Sequence, residues 1–283
     1  MLRDKPLTIA TRTYFWKPAV ALFRAIELEH YRRSKFNATY PILDLGCGDG
    51  TVAHILREAG LLQQRPIGID ISRTAVRRAK AMDEHLLIIH GDANHLPFQD
   101  NSFASIMCNG VLCSVPNGVE RALSEINRVL MSGGVLVATV PTDKFADALV
   151  IPDLLSQMSE RLRASYVNRW NRRHGHHSAY SPERWKEEFE KRGLTVESIY
   201  PFFFPRAGLL FGVLAMHVFR IFGLLRSIRN ARFAGLAGRA WSCVFRTACL
   251  DPRTPGDKAG YVLIVGKKTQ DLASSVESAS SPY

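Results

Sequence analysis

The chain has 283 residues, of which 46% are hydrophobic, and a formal net charge of +11 at pH 7. A chain of this size and composition can bury a full core and should fold alone, either as one large domain or as a domain with a substantial insertion. Its five cysteines form no C-x-x-C pair, and the opening residues MLRDKPLTIATRT lack the apolar core of a signal peptide. We therefore expect a reducing, cytoplasmic compartment rather than a secreted protein.

Strand-like and helix-like segments alternate along the first half of the chain. The strand-like runs are YPILDLG, RPIGIDIS, HLLIIHGD, SFASIMCNG and GGVLVATVP, and the helical ones are TVAHILREAG, RTAVRRAKAM and NGVERALSEINRVL. This alternation predicts βαβ units and a parallel sheet with helices on both faces. Ligands of such sheets bind at the carboxyl ends of the strands. Four polar residues fall at or near such ends: Asp44, Asp70, Asp92 and Asn109.

A glycine-rich stretch, ILDLGCGDG, follows the first strand-like run and places glycines at positions 46, 48 and 50. These glycines let the backbone turn sharply from strand to helix and leave no side chains between the chain and a ligand. A nicotinamide-binding G-x-G-x-x-G motif would need a glycine where Thr51 stands. Asp70 would accept hydrogen bonds from a ribose in a dinucleotide site or in another adenosine site, so it does not discriminate between them.

Four motifs in order, over roughly residues 40 to 200, resemble those of the class I S-adenosylmethionine (SAM) dependent methyltransferases, including the type 11 group. They are LDLGCGDG, IGIDIS, GDANHLPFQDNSFASI and INRVLMSGGVLVATVP. The resemblance implies an α/β fold with a Rossmann-like seven-stranded sheet, helices on both faces, and SAM as the cofactor. The cofactor-binding residues that it implies are Asp44, Gly46, Cys47, Gly48, Asp70, Ile71, Asp92, Ala93, Asn109 and Gly110.

The resemblance also implies which part of SAM each of these residues meets. The methionine end falls to Asp44 and the backbone of 46–48, the ribose to Asp70, the adenine face to Ile71, the adenine edge to Asp92 and Ala93, and the transferred methyl to Asn109 and Gly110. Taken singly, such aspartates often cap helices and such glycines often only make turns. After the fourth strand, many relatives carry LEH or a similar segment, whereas this chain has VLCSVPN. Any family role of that histidine therefore cannot be transferred.

Two zones could contact the methyl acceptor. The first is TYFWKPAVALFRAIELEHYRR, in which Tyr14 precedes an amphipathic helix that begins near Pro18. In the family such a segment commonly lies over the active site, although a helix simply packed on the sheet fits the pattern equally well. The second is the connection 141–181, whose His174, His176 and His177 could accept a proton or bind a polar group of the acceptor. The catalytic candidates are therefore Tyr14 and these three histidines.

No metal site is expected in the second zone. Its three histidines have no cysteine or carboxylate at ligand spacing, so we favour a solvated loop over a metal tract.

An arginine-rich insertion separates the sixth predicted strand, LTVESIYPFFFP, from the seventh, GYVLIVGKK. Between Glu197 and Asp251 there are seven arginines and no acidic residue. Arg232, Arg239 and Arg246 recur every seven residues, and an apolar set falls on the opposite helical face: Phe233, Ala237, Trp241, Val244, Phe245 and Ala248. This pattern is typical of an amphipathic helix in a membrane interface.

The same insertion has two other interpretations. Its apolar faces could pack on the rest of the chain or on a second copy, which would leave the arginines solvated. Nucleic acid is disfavoured because the block has no lysine and is rich in Leu, Phe and Val. The thirteen residues AGLLFGVLAMHVF are too few for a spanning helix, which needs about 20 apolar residues.

The predicted organisation has five parts. They are an N-terminal helical cap over 1–40, a SAM-binding core over 41–204 with a lid at 142–181, a basic amphipathic helical insertion between the last two strands over 205–250, the final strand of the core over 251–268, and a disordered tail over 269–283. The tail is expected to be disordered because TQDLASSVESASSPY is rich in small and polar residues.

We therefore expect an enzyme, a SAM-dependent methyltransferase that is cytoplasmic and peripheral on the inner face of the membrane. The expected acceptor is lipophilic or lipid-linked: a quinol, a phenol, a lipid or a lipid-carried sugar. Methyltransferases of quinone biosynthesis have similar motifs, which is an analogy. One alternative is a soluble O-methyltransferase of a sugar or a small secondary metabolite, whose insertion forms an acceptor lid or a homodimer surface. Another is a catalytically inactive SAM-fold membrane adaptor.

Overall fold

A computed structural model describes residues 4–116, 118–146, 149, 152, 155, 157–215, 231–248 and 258–269. Seven strands form one sheet in the order β3-β2-β1-β4-β5-β7-β6. They are β1 Ile42–Leu45, β2 Ile67–Asp70, β3 Leu87–His90, β4 Phe103–Asn109, β5 Leu130–Pro141, β6 Leu194–Phe202 and β7 Tyr261–Lys268. The first five strands pair in parallel, and β7 runs antiparallel between β5 and β6. The predicted seven-stranded α/β sheet is confirmed.

Nine α-helices lie in the described part of the chain. They are α1 Asp4–Thr13, α2 Pro18–Arg33, α3 Thr51–Glu58, α4 Arg73–Met82, α5 Glu120–Val129, α6 Glu160–His174, α7 Pro182–Glu190, α8 Pro205–Ala215 and α9 Ala231–Ala248. A short 3-10 turn, Leu112–Ser114, follows β4. Helix α1 lies within the predicted helical cap of 1–40, although no sequence pattern marked it as a separate helix, and it packs on both α2 and α9.

The two faces of the sheet are covered by separate hydrophobic clusters. Met107 and Val137 join the cluster that contains the buried residues of α1 and α2. Their neighbours Ile106 and Leu136 join the cluster that contains those of α5 and α7. Successive side chains of a strand point to opposite faces, so each strand contributes to both clusters. Helices on both faces are therefore confirmed.

Helix α2 begins where the sequence indicates, with Pro18 in its first turn. Ten of its sixteen residues are buried, including the two carboxylates Glu27 and Glu29. A surface helix would bury only one stripe. This helix is covered more fully because α1 and α8 pack on it in addition to strands β6 and β7.

The insertion 205–250 contains α8 and α9, and its residues 216–230 and 249–250 lie outside the described ranges, as does the expected tail from residue 270 onward. The apolar side of α9 packs on α1. Phe245 is 0% exposed within the main core cluster, and its ring stacks with that of half-buried Trp241. Gly238 lies so close to α1 that a Cβ atom there would come 3.2 Å from the backbone nitrogen of Arg12. The interpretation of Phe245 as a membrane-facing residue is therefore wrong, because α1 packs against this side of α9.

The outer side of α9 keeps other apolar residues at the surface. Leu236 is 65% exposed and Val244 is 44% exposed. Arg239 is exposed on the same helix, whereas the side chains of Arg232 and Arg246 lie outside the described ones. None of the described helices has the length and apolar character needed to cross a membrane.

Candidate active site

The turn from β1 to α3 crosses the carboxyl edge of the sheet and contains the three glycines of the first motif. Gly46, Gly48 and Gly50 all have positive φ, at 70°, 58° and 83°. A Cβ atom at position 46 would come 2.1 Å from Cγ2 of Val111, so only glycine fits there. At position 48 a Cβ atom would meet nothing within 4 Å. The backbone at Gly48 therefore borders open space in which a ligand can lie against it.

Asp70 ends β2 and ties the glycine turn to the next helix. Its Oδ2 accepts a hydrogen bond from the backbone nitrogen of Gly48 at 2.9 Å, and its Oδ1 accepts one from that of Ser72 at 2.8 Å. Each carboxylate oxygen has a further lone pair, and Asp70 is only half-buried, so both oxygens can accept additional hydrogen bonds. Its neighbour Ile71 is 65% exposed and offers an apolar surface beside the carboxylate.

Asp92 forms the turn after β3. Its Oδ1 accepts a hydrogen bond from the backbone nitrogen of Asn94 at 2.9 Å, and its backbone oxygen accepts one from that of His95. Ala93, in the same turn, packs partly against the core cluster on the α5 side. This is the turn-forming role that aspartate often has. A contact of Asp92 and Ala93 with adenine stays a prediction.

Asp44 lies below the glycine turn and is 2% exposed. Its Oδ2 accepts a hydrogen bond from Nε2 of His85 at 2.9 Å. His85 stands just before β3 and belongs to none of the four sequence motifs. A Cβ atom at Gly68 of the intervening strand would come 2.8 Å from Cδ2 of His85, so a glycine there leaves room for the imidazole.

Cys47 contributes its backbone to the turn, while its side chain packs with Val76, Ala79 and Ile88. Burial, with the nearby charges of Asp44 and Asp70 adding to it, raises the pKa of the Cys47 thiol. A protonated thiol is not a nucleophile.

Asn109 and Gly110 end β4 at the same edge of the sheet. Oδ1 of Asn109 accepts a hydrogen bond from the hydroxyl of Tyr31 on α2. Its Nδ2 is buried and has no hydrogen-bond partner among the described residues. Gly110 has φ 69°, and a Cβ atom there would meet nothing within 4 Å. An acceptor or the end of a cofactor could therefore approach Asn109 along this backbone.

Tyr14 lies between the glycine turn and α2. Burial raises the pKa of its phenol, the charge of Arg24 lowers it in part, and the charge of Asp49 raises it further. Hydrogen bonding between its hydroxyl and Thr51, at the start of α3, also affects this pKa. The raised pKa makes Tyr14 a hydrogen-bond donor rather than a proton acceptor at neutral pH.

The histidine-bearing segment after α6 lies against the turn that follows β4. The backbone nitrogens of His177 and Ser178 donate hydrogen bonds to the carbonyl oxygen of Cys113 at 2.7 and 3.1 Å. The ring of His176 packs edge-on at 5.7 Å from that of Phe145, and His177 is exposed. His174 is the last residue of α6, and its side chain is outside the described ones. Proton transfer by these histidines stays a prediction.

Cys113, in the same turn, is unsuited to act as a nucleophile. Burial raises the pKa of the Cys113 thiol to about 11, although a hydrogen bond with Ser114 partly opposes this. The thiol is therefore protonated at neutral pH. Across the described ranges, His, Cys, Asp and Glu form no group of three or more that could hold a metal ion.

Comparison with known proteins finds a similarity over the segment that contains strands β1 to β5. A family model described as a methyltransferase domain matches residues 43–138. Over 98 residues the chain is 39% identical to a demethylmenaquinone methyltransferase of Staphylococcus aureus (strain MRSA252), a stretch that covers 34% of this chain and 40% of that relative. The chain thus spans well under two thirds of the length of the curated relatives it matches.

Solved structures with a similar fold extend the likeness to most of the chain. The [4+2]-cyclase SpnF has a TM-score of 0.53 at 20% identity, over 89% of this chain and 83% of its own. The geranyl diphosphate C-methyltransferase of Streptomyces coelicolor A3(2), solved with Mg²⁺, geranyl diphosphate and S-adenosyl-L-homocysteine, has a TM-score of 0.52 at 15% identity, over 88% and 79%. At these identities the likeness shows the fold alone.

Proposed function

We propose that the chain is a SAM-dependent methyltransferase that transfers a methyl group to a lipophilic or lipid-linked acceptor at the carboxyl edge of its sheet. The match of residues 43–138 to a methyltransferase-domain model supports this proposal. The arrangement around Asp70 carries this proposal. A half-buried carboxylate, an open glycine backbone at Gly48 and the exposed side chain of Ile71 lie together, as an adenosine requires. When bound, SAM supplies an electrophilic methyl group on a positively charged sulfur.

The residues present fit that cofactor better than a dinucleotide. The edge offers carboxylate oxygens, which accept hydrogen bonds from ribose hydroxyls, and a glycine turn without the third glycine of a pyrophosphate cradle. Asp70 would hold the ribose and Ile71 would cover one adenine face. Asp44 is buried and bound by His85, so it would act on the methionine end only through the glycine backbone above it. Asn109, whose amide nitrogen has no partner within the described part of the chain, would border the transferred methyl.

The acceptor is placed by α2, which lies over the ends of β4 and β5. Methyl transfer depends mainly on holding the donor and the acceptor in line, and a covered site excludes water that would compete. Aromatic rings line this side of the sheet: Phe23 packs with Phe202, Phe203 and Tyr261 at centroid distances of 4.8 to 5.9 Å. Three of these rings are buried in the core, and half-buried Phe23 is the one that offers an apolar contact to a ring-bearing acceptor. The quinone-type substrate in the name of the S. aureus relative agrees with such an acceptor.

Peripheral contact with the inner face of the membrane is part of the proposal. Its support is the exposed apolar surface of α8 and α9, where Leu209 is 51% and Leu236 is 65% exposed, together with the exposed Arg239. An interface helix combines such apolar residues with arginines that attract anionic lipid.

One observation favours a second candidate, a soluble O-methyltransferase of a small metabolite. Phe245 of α9 is fully buried against the rest of the chain, so part of the insertion serves the fold rather than a membrane. In that case the histidine segment and α6 would cover a hydrophilic acceptor as a lid.

A labelled-donor experiment separates the candidates. The protein is incubated with SAM carrying a labelled methyl group and either a total lipid extract or the aqueous metabolite fraction, and products are identified by mass spectrometry. Label in a chloroform-soluble product supports the lipophilic acceptor, and label only in the aqueous fraction supports the soluble enzyme. No labelled product from either fraction, with SAM bound, would favour an inactive adaptor.

A further inference from the structure

An ion pair buried on α2 lies beside the proposed methyl-transfer site. The Glu27 carboxylate is 2% exposed, and its Oε2 accepts a hydrogen bond from Nη1 of Arg24 one turn earlier. Its Oε1 accepts a hydrogen bond from the hydroxyl of Thr139 at 2.7 Å. Thr139 on β5 is paired with Asn109 on β4. The ion pair is therefore anchored at the carboxyl end of β5, beside the residue of β4 that would border the transferred methyl.

Two hydrogen-bond donors in this region have no partner among the described residues. Nε of Arg24 and Nδ2 of Asn109 are both buried and unpaired. Buried donors are satisfied in the great majority of cases, and an exception calls for an explanation such as a bound ligand. A ligand with an oxygen that accepts hydrogen bonds would satisfy them.

The charges of Arg24 and Glu27 determine which kind of ligand oxygen can bind beside them. The guanidinium of Arg24 is compensated by Glu27, so an anionic head placed here would meet a buried carboxylate without a free cation to balance it. Burial also raises the pKa of Tyr14 and Tyr261, which keeps both phenols neutral. A hydroxyl group both donates and accepts hydrogen bonds, so one hydroxyl can donate to a carboxylate and accept from a neighbouring unsatisfied donor.

A ligand would reach the Arg24–Glu27 ion pair from the side of Arg24. The Arg24 side chain is 21% exposed whereas that of Glu27 is 2% exposed. Half-exposed Tyr14 stands between Arg24 and the glycine turn. The guanidinium carbon of Arg24 also lies 5.4 Å from the ring centroid of Phe23, so an apolar surface continues directly from the polar one.

We infer, on the basis of the proposed methyl transfer, that the Arg24–Glu27 pair binds a neutral hydroxyl group of the acceptor. The hydroxyl donates to the Glu27 carboxylate and accepts from Nε of Arg24. During the reaction the acceptor O–H bond breaks and its proton moves to Glu27. The electron pair of the acceptor oxygen would form the new bond to the methyl group, and the pair of the broken sulfur–methyl bond would remain on the donor sulfur. The acceptor is therefore an uncharged hydroxylated ring or alcohol, and not a phosphate ester or a carboxylate at this end.

Three naphthalene probes test the inference by calorimetric titration without SAM. 1-Naphthol carries the hydroxyl, 1-methoxynaphthalene lacks the donor hydrogen, and 1-naphthoate is an anion of similar size. The wild-type protein should bind 1-naphthol about tenfold more tightly than either of the others, as expected for a hydrogen bond to a charged group. Binding of either other probe as tightly as 1-naphthol, or no measurable binding of 1-naphthol, overturns the inference.

Glu27→Gln supplies a second readout that a purely structural role would not change. This variant leaves Arg24 uncompensated, so the preference should reverse and 1-naphthoate should bind more tightly than 1-naphthol. Glu29→Gln is the matched control: Glu29 is equally buried on the same helix but pairs with Arg32 and Arg33, so the wild-type order should persist. An unchanged order in a folded Glu27→Gln protein contradicts the inference, and if that variant does not fold, the wild-type order decides.

A separate titration keeps this inference distinct from the proposed function. S-Adenosylhomocysteine is titrated into the wild-type protein under the same conditions. If it does not bind, the proposed methyl transfer fails. If it binds but the naphthalene probes give the opposite order, only the assignment of the Arg24–Glu27 pair fails.

Discussion

The hydroxyl of Tyr31 donates a hydrogen bond to Oδ1 of Asn109, which joins the helical cap to the strand end that borders the proposed methyl position. Tyr31 is 2% exposed, and burial raises the pKa of its phenol well above the usual range, so the hydroxyl stays a donor. The bond fixes which way the Asn109 amide faces. It thereby leaves Nδ2 available on the side of the site.

Removing this bond should affect both stability and catalysis. We expect Tyr31→Phe to lower the free energy of unfolding by about 1–2 kcal/mol, because the Asn109 oxygen loses its buried donor. The rate of methyl transfer should fall by more than the loss of stability explains, because the side-chain amide of Asn109 can then rotate. Chemical denaturation and turnover measure the two effects. Tyr166→Phe on α6 is the control, and an equal loss of activity there would remove the special role of Tyr31.

Asp70→Ala should weaken binding of S-adenosylhomocysteine by roughly 2–3 kcal/mol, because the variant loses hydrogen bonds between a carboxylate and ribose hydroxyls. Titration calorimetry measures this directly, and circular dichroism checks that the domain remains folded. Asp83→Ala removes a surface carboxylate that pairs only with Arg65 in the described contacts, so it should leave affinity unchanged. Unaltered affinity in Asp70→Ala would overturn the ribose assignment, and binding of NADH in place of the SAM analogue would overturn the cofactor itself.

Gly46→Ala should destabilise the protein by about 3 kcal/mol, because it combines a positive φ with a clash against Val111. Gly60→Ala is matched to it, since Gly60 has φ 76° but open space around it, and should cost only about 1 kcal/mol. Urea denaturation of both variants gives the difference. Adding Val111→Ala to Gly46→Ala should recover part of the loss, and no recovery would show that the clash is not the cause.

Joint replacement of His174, His176 and His177 by glutamine should lower kcat while the affinity for S-adenosylhomocysteine stays the same. The histidine segment donates hydrogen bonds to the Cys113 carbonyl just after β4, where the acceptor would lie, and none of its described hydrogen bonds goes to the glycine turn. Steady-state kinetics and calorimetry separate the two quantities. Unchanged turnover would return the segment to a solvated loop and favour an acceptor activated elsewhere.

Membrane contact predicts sedimentation with vesicles that contain anionic lipid, and partial release as salt rises, because exposed charges are screened within about 10 Å at 0.1 M. Arg239→Gln should reduce the salt-sensitive fraction, and Leu236→Ser the salt-resistant one, since both side chains are exposed on α9. Phe245→Ala should instead lower the free energy of unfolding by about 3 kcal/mol, because it leaves a cavity in the core. A wild-type protein that stays in the supernatant at low salt contradicts the membrane proposal.

The sequence by itself determined the sheet and the edge at which its ligands bind. Alternating strand and helix patterns, with turn residues between them, are local features, and parallel strands necessarily bring their carboxyl ends to one edge. Asp70, Gly48 and Asn109 therefore lie at a common edge for reasons that can be read from the chain. The start of α2 at Pro18 is likewise local, because proline suits a first turn.

Only the tertiary structure decided what these elements meet. His85 binds Asp44, which lies 41 residues earlier in the sequence, and Thr139 binds Glu27, which lies 112 residues earlier. No spacing pattern could reveal pairs so far apart in the sequence. Phe245 is buried because α1 covers it, although the same periodicity suits a membrane surface. Hydrophobic periodicity identifies the side of a helix that avoids water, but a helix, a sheet and a lipid layer all remove apolar area from water in the same way. The choice among them is made by the packing of the whole chain.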